Sequence, residues 1–120
     1  MEAAAYLNAR LYRNNSGGTH VAYKDKSGAI KRRFVRYGVG PTEGGGGDLI
    51  GWTTVTVTPD MVGQKVAVFT SVEIKAGRDR ESDAQKKWRS WVLQGGGRAG
   101  VARSVDDAVE IMRGGDVVGE

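Results

Sequence analysis

Apolar and polar residues divide the chain into short elements. Residues 3–11 are rich in Ala, Leu and Arg, and nothing breaks the run before Asn14-Asn15-Ser16-Gly17-Gly18, so a short helix is expected there. Two strands are expected next, over residues 19–25 and 30–37, joined through Lys26-Ser27-Gly28 into a hairpin with basic side chains on its second strand. Over residues 49–58, Val55 and Val57 alternate with Thr54, Thr56 and Thr58, the pattern of a strand with one wet face. Pro59 ends it, and Asp60-Met61-Val62-Gly63 makes a turn. The strongest strand signal covers residues 65–76. Val66, Val68, Thr70, Val72 and Ile74 share one face, and Ala67, Phe69, Ser71, Glu73 and Lys75 share the other. A mostly apolar strand therefore ends with an acid and a base side by side.

Helical spacing returns after Gly77. Ser82 and Gln85 fit a capping box, Ala84, Trp88, Trp91 and Val92 recur on one face, and Gly95-Gly96-Gly97 should stop the helix. Residues 98–103 read as a short strand. Ser104 then caps a second helix whose apolar stripe is Val105, Ala108, Val109 and Met112, with Asp106 and Asp107 in its favourable first turn and Gly114 past its end. The order α-β-β-β-β-α-β-α predicts an α/β or α+β domain with a mixed sheet.

At 120 residues the chain fits one domain, and its 39% hydrophobic and 27% charged content argues against collagen-like sequence and wholesale disorder. With no Cys and a lone His20, neither a disulfide framework nor a thiolate or zinc centre can be built. No apolar run approaches the roughly 20 residues that span a bilayer, and Met1-Glu2-Ala3-Ala4-Ala5 lacks the features of a signal peptide, so a soluble cytoplasmic protein is expected. The 19 glycines are about twice the usual share, and the run 44–47 stands directly before Asp48. No Gly-Lys-Ser/Thr follows that run, which excludes a nucleotide P-loop.

The net charge of +4 hides segregation. Residues 1–36 carry eight Lys and Arg against two acids, and residues 78–103 carry seven against three. The segments between and after them are acidic. The basic side chains include Lys31, Arg32, Arg33 and Arg36 in one segment and Arg78, Arg80, Lys86, Lys87 and Arg89 in the other. Such clusters suit a phosphate backbone, although solvated surface explains charge alone equally well.

Asp48 opens one strand and Glu73-Ile74-Lys75 closes the next. If those strands are neighbours, the two carboxylates converge on one ion, and hard oxygen ligands suit Mg²⁺, or Mn²⁺ in its place. Phosphodiester hydrolysis needs a polarised phosphoryl oxygen, an activated water and positive charge for the transition state, and these residue types match. Taken alone the spacing is weak, because strand ends often carry structural ion pairs.

The surrounding residues carry a resemblance. Gly47-Asp48 stands where the PD-(D/E)-x-K nuclease pattern often has Pro-Asp, a change at a turn residue and not at a ligand. Arg13-Asn14-Asn15, Gly38-Val39-Gly40, Gly47-Asp48-Leu49-Ile50-Gly51-Trp52, Thr58-Pro59-Asp60-Met61-Val62-Gly63, Val66-Ala67-Val68-Phe69 and Val72-Glu73-Ile74-Lys75 occur in the family's order. Ser82-x-x-Gln85 and Gly100-Val101-Ala102-Arg103-Ser104 follow. The chain closely resembles the small phage-type VRR-NUC nuclease domains over roughly residues 2–113. The resemblance implies a restriction-endonuclease-like core with a mixed central β-sheet flanked by helices, and a single nuclease domain is expected over residues 1–115, with a tail over 116–120 whose terminal position suggests mobility. It implies a divalent metal, Mg²⁺ or Mn²⁺, held by Asp48, Glu73 and the Ile74 carbonyl, with Lys75 catalytic. Glu2 matches an acid on the family's first helix that helps complete the metal site, with a helix N-terminal charge as its alternative. Gln85 matches a glutamine near the catalytic centre, and its capping role is compatible with that.

The expectation is a metal-dependent DNA endonuclease acting on branched DNA as a homodimer, similar to a Holliday junction resolvase and, if phage-encoded, working in the bacterial cytoplasm. DNA contacts are expected from Arg13, Asn14, Asn15, Lys31, Arg32, Arg33, Arg36, Arg78, Arg80, Lys86 and Lys87. Arg13-Asn14-Asn15 can serve instead as a cap or turn, or contact the metal-site loop. Trp88 and Trp91, on the helix stripe, and Tyr12, Tyr23 and Tyr37 read as packing residues, although Trp52, Trp88 and Trp91 could stack on bases. His20 reads as a plain strand residue. The alternative from another class is a non-catalytic basic DNA-binding accessory of phage recombination or packaging, and a blander third is a structural protein.

Overall fold

A computed structural model describes residues 8–15, 17–41 and 46–118. In chain order its elements are β1 (Ala9–Arg13), β2 (Gly17–Lys24), β3 (Ile30–Tyr37), β4 (Leu49–Thr53), a 3₁₀ turn (Pro59–Met61), β5 (Thr70–Ile74), α1 (Asp83–Gln94), β6 (Arg98–Ala102) and α2 (Val105–Met112). The strands form three two-stranded sheets, β1 with β4, β2 with β3, and β5 with β6. The described backbone divides into two compact units, one within residues 10–51 and the other over residues 52–118 together with Asn8 and Ala9.

In the first unit, β2 and β3 pair antiparallel from Gly17↔Tyr37 to Lys24↔Ile30. Local chemistry sets this register. The Asp25 backbone N–H donates to Ala29 O at 3.0 Å, and Asp25 Oδ1 accepts from Ser27 N and Oγ and from Ala29 N. Gly28 takes φ 86°, the left-handed position that a three-residue hairpin loop requires. Through its turn, Asp25 also pairs with Lys31 at 3.3 Å.

The helix expected over residues 3–11 is corrected where the structure describes it. Ala9–Arg13 is a strand, and Asn8 has φ 51°, which no continuing α-helix permits. Residues 3–7 lie outside the described residues. Backbone pairing with β4 overrides the modest helix propensity of Ala, Leu and Arg.

The second unit is organised around β6, which pairs parallel with β5 in the register Thr70↔Arg98 to Ile74↔Ala102. Its buried side chains are Val92 of α1, Ala99, Val101 and Ala102 of β6, and Ile111 of α2. Gly100 is required at this centre, because a Cβ there would lie 2.6 Å from Ile111 Cγ1 and 2.5 Å from Val117 O. Val101 N donates to that same Val117 carbonyl at 2.9 Å, so this part of the tail is tied to β6. Both helices begin at the expected serines. Ser82 makes a reciprocal capping box with Gln85, and Ser104 Oγ accepts from Asp107 N.

Two strands are shorter than their alternation suggests. β4 stops at Thr53 and β5 begins only at Thr70. Val55, Val57, Val66 and Val68 are exposed, and their segments line a cavity of about 220 Å³ with Trp52, Phe69 and glycines 95–97. Alternation marks two faces, but a strand also needs a ladder partner, and neither segment has one among the described residues.

Candidate active site

The acid and base at the end of β5 belong to one cluster with α1. Ser71 and Glu73 lie on the same face of the strand, and α1 crosses that face. Trp88 Nε1 donates to Ser71 Oγ at 2.9 Å, and three residues earlier Gln85 Nε2 donates to Glu73 Oε1 at 2.9 Å. The geometry follows from the two repeats. One three-residue helical step advances about 4.5 Å and one two-residue strand step about 6.6 Å, so antiparallel neighbours stay within side-chain reach. Trp52, Phe69 and Trp88 pack as an aromatic group beneath, with centroids 4.8 to 6.2 Å apart. The packing role expected for Trp88 is the one observed, and Trp52 packs with it.

Lys75 Nζ lies 3.7 Å from the same Glu73 Oε1. Its side chain is 18% exposed and that of Glu73 38%, so the base is screened while the acid is open. Both neighbours address Oε1, leaving Oε2 with no protein donor among the described residues. The Ile74 carbonyl is placed by ladder parity. Arg98 N donates to Phe69 O and Lys75 N donates to Ala102 O, so odd-numbered residues of β5 turn their backbone to β6 and Ile74 turns its carbonyl to the opposite edge. A carboxylate oxygen and a backbone carbonyl are hard donors of the kind that suits Mg²⁺ or Mn²⁺. Among the described residues no group of three or more His, Cys, Asp or Glu stands ready to hold a metal unaided.

Asp48 lies in the first unit and is exposed, just before β4. Asn14 fixes the backbone around it. Asn14 N donates to Asp48 O at 2.8 Å, while Asn14 Nδ2 donates to Gly47 O at 3.0 Å and to Val39 O at 2.8 Å. Val39 N donates back to Asn14 Oδ1 at 3.0 Å. The Gly38-Val39-Gly40 loop and the Gly47-Asp48 turn are thereby fastened to the end of β1. Gly46 is part of this clamp, because a Cβ there would lie 1.9 Å from Val39 O. Its glycine serves close backbone approach. Gly44, Gly45 and Glu2 lie outside the described residues.

The basic residues are surface residues. Arg13, Asn15, Lys31, Arg32, Arg33, Arg36, Arg78, Arg80, Lys86 and Lys87 are exposed, with Asn14 half-buried. Lys87 sits over the Trp91 ring at 5.4 Å. Arg89 is bound to Glu81 through two bonds of 2.9 and 3.0 Å, and that hydrogen bonding raises its pKa above the ordinary arginine value. Sequence reasoning gave no role to Arg103. Its guanidinium donates to Gly77 O at 3.0 Å and Asp79 O at 2.5 Å, fixing the loop that joins Lys75 to the α1 cap. The only sequence signal was its place in Gly100-Val101-Ala102-Arg103-Ser104.

Among the described residues no helix is long and apolar enough to cross a membrane. No curated protein and no solved structure matches the chain. The VRR-NUC domain model does match, and a mixed α+β chain with small sheets and two helices is consistent with a restriction-endonuclease-like fold. That match spans residues 12–106 of the 120, and the chain therefore belongs to the VRR-NUC domain family, whose nuclease-type function is DNA processing.

Proposed function

We propose that the chain is a metal-dependent DNA endonuclease, a single nuclease domain over residues 1–115, which hydrolyses phosphodiester bonds in branched DNA as a homodimer. The observation that carries this reading is the convergence of Gln85 Nε2 and Lys75 Nζ on one oxygen of Glu73, at 2.9 and 3.7 Å.

Glu73 and the Ile74 carbonyl, in the second unit, would hold Mg²⁺ or Mn²⁺, and for Asp48, in the first unit, the metal-ligand role rests on the family resemblance alone. The cation, when bound, supplies Lewis-acid polarisation of the scissile phosphoryl group and a source of nucleophilic water. Gln85 orients the Glu73 carboxylate, and its donation to Oε1 directs Oε2 outward. Lys75, protonated, places positive charge where the phosphate gains negative charge in the transition state. The water oxygen bonds to phosphorus as it gives up a proton to solvent, the bond to the leaving sugar oxygen breaks, and that oxygen takes up a proton from solvent. The exposed Lys and Arg residues supply salt-sensitive attachment to the backbone. A two-fold pair of such sites suits cutting of opposing strands at a four-way junction.

The test compares labelled four-way junctions, flaps and linear duplex, each with Mg²⁺, Mn²⁺ or EDTA. Metal-dependent cutting with junctions preferred supports the reading. Equal cutting of all three removes the branch selectivity, and DNA binding without cutting under any metal favours the non-catalytic accessory reading.

A further inference from the structure

The β2–β3 hairpin divides the basic residues between two faces. Directly opposed residues of an antiparallel pair share a face, so Val21, Tyr23, Lys31, Arg33, Val35 and Tyr37 lie on one side. His20, Ala22, Arg32, Phe34 and Arg36 lie on the other. The first face is partly committed. Lys31 pairs with Asp25, Arg33 sits over the Tyr23 ring at 5.8 Å, and Val35 is half-buried. The second carries no acid. Its Phe34 ring is 52% exposed and lies over Gly18, where a Cβ would come within 2.2 Å of the ring. His20 meets Phe34 edge-on with centroids 5.3 Å apart, and the Arg36 guanidinium sits over the Phe34 ring, Cζ 5.4 Å from its centroid, so it swings aside when a base takes its place.

We infer that this second face binds an unpaired DNA strand, with Phe34 and His20 stacking on bases while Arg32 and Arg36 meet the phosphates on either side. Charge complementarity selects a polyanion, and the open ring selects exposed bases, since in a duplex the base faces are already stacked. Spacing favours the same choice. Same-face positions on a strand are about 6.6 Å apart, nearly twice the roughly 3.4 Å per nucleotide of a duplex strand. The row Arg32, Phe34, Arg36 therefore matches an extended, unstacked strand. β3 leads directly into the Gly38-Val39-Gly40 loop that Asn14 fastens to Gly47, so a strand held here belongs to the unit that carries Asp48.

The inference rests on the DNA-processing reading for its ligand, but its test needs no cleavage. Fluorescence anisotropy in EDTA compares an oligothymidylate with a duplex of equal length, using the full chain and the variants Phe34→Leu, Phe34→Trp, Arg36→Gln and Thr19→Ser. Phe34→Leu keeps an apolar cover over Gly18 but removes the π face. It should weaken single-strand binding by roughly 5- to 100-fold, the range of one lost base stack, while duplex binding changes less than about threefold. Phe34→Trp should restore single-strand binding. Arg36→Gln should lower the salt slope by about one, and Thr19→Ser, on the opposite face, should leave the preference for single strands intact. Wild-type single-strand affinity in a folded Phe34→Leu protein, or equal losses on both ligands, overturns the inference. Metal-dependent cutting that persists with Phe34-independent binding leaves the nuclease reading standing without it. Phe34-dependent binding without any cutting does the reverse.

Discussion

Gln85 ties the start of α1 to the end of β5: its Nε2 donates to Glu73 Oε1 at 2.9 Å while its own Oε1 accepts from Ser82 N at 2.9 Å. One side chain caps a helix and orients the candidate metal ligand. Glutamate also completes a capping box, so Gln85→Glu keeps the bond to Ser82 but has no proton to give Glu73. The expected result is a thermal midpoint near wild type with cleavage lowered about 10- to 100-fold, as for loss of a ligand's supporting partner. Ser82→Ala should do the opposite, costing about 1 kcal/mol of stability with little change in rate per folded molecule. Thermal melting and cleavage assays on the two variants check this.

Asn14 makes three side-chain bonds to residues 25 and 33 positions away, all to backbone. Asn14→Ala removes them together and should cost about 1 to 3 kcal/mol. Asn14→Asp retains only the bond from Val39 N. Faster amide exchange at residues 38–40 and 46–48, with weaker Mn²⁺ binding in a calorimetric titration, is the expected signature.

The hairpin turn gives a pH dependence with a defined sign. The Ser27 hydroxyl, against the opposing effect of burial, holds the Asp25 carboxyl below its ordinary value of 3.8, with further help from the Ala29 backbone, Lys31 and the Ser27 backbone. A carboxylate lowered on folding contributes stability above 3.8 that is lost as pH falls through the lower folded value. NMR of the amides of Ser27 and Ala29 should therefore show the turn intact at neutral pH and loosening only in strong acid. Asp25→Asn should remove that dependence.

Gly100→Ala should be more harmful than Gly63→Ala. The first drives a Cβ against Ile111 and the Val117 carbonyl, an overpacking cost of about 1 to 3 kcal/mol or more. The second meets nothing within 4 Å, although φ 87° still disfavours a side chain. Denaturant midpoints of the two variants settle the order.

Features whose causes are local were legible in the sequence. The hairpin followed from its turn residues, and both helix starts followed from Ser82 and Ser104. Features set by distant partners were not. Ala9–Arg13 looked helical because propensity ignores the strand that pairs with it. Val55, Val57, Val66 and Val68 looked like strand positions because alternation does not report a missing ladder. At the site, Glu73, Lys75 and Gln85 were all named from sequence, but the shared oxygen was not, since it depends on where α1 crosses β5. The clamp by Asn14 and the loop anchor by Arg103 are side-chain-to-backbone contacts across long sequence separations, which no spacing encodes.

The most direct test of the central claim is the conversion of supercoiled plasmid by wild type, Glu73→Ala and Lys75→Ala with Mg²⁺ or Mn²⁺. Nicked or linear product should form with wild type, vanish with EDTA, and fall by about 10²-fold or more in each folded variant. Cleavage that survives both substitutions, or wild type that binds the plasmid and never cuts it, would contradict the assignment of Glu73 and Lys75 to catalysis.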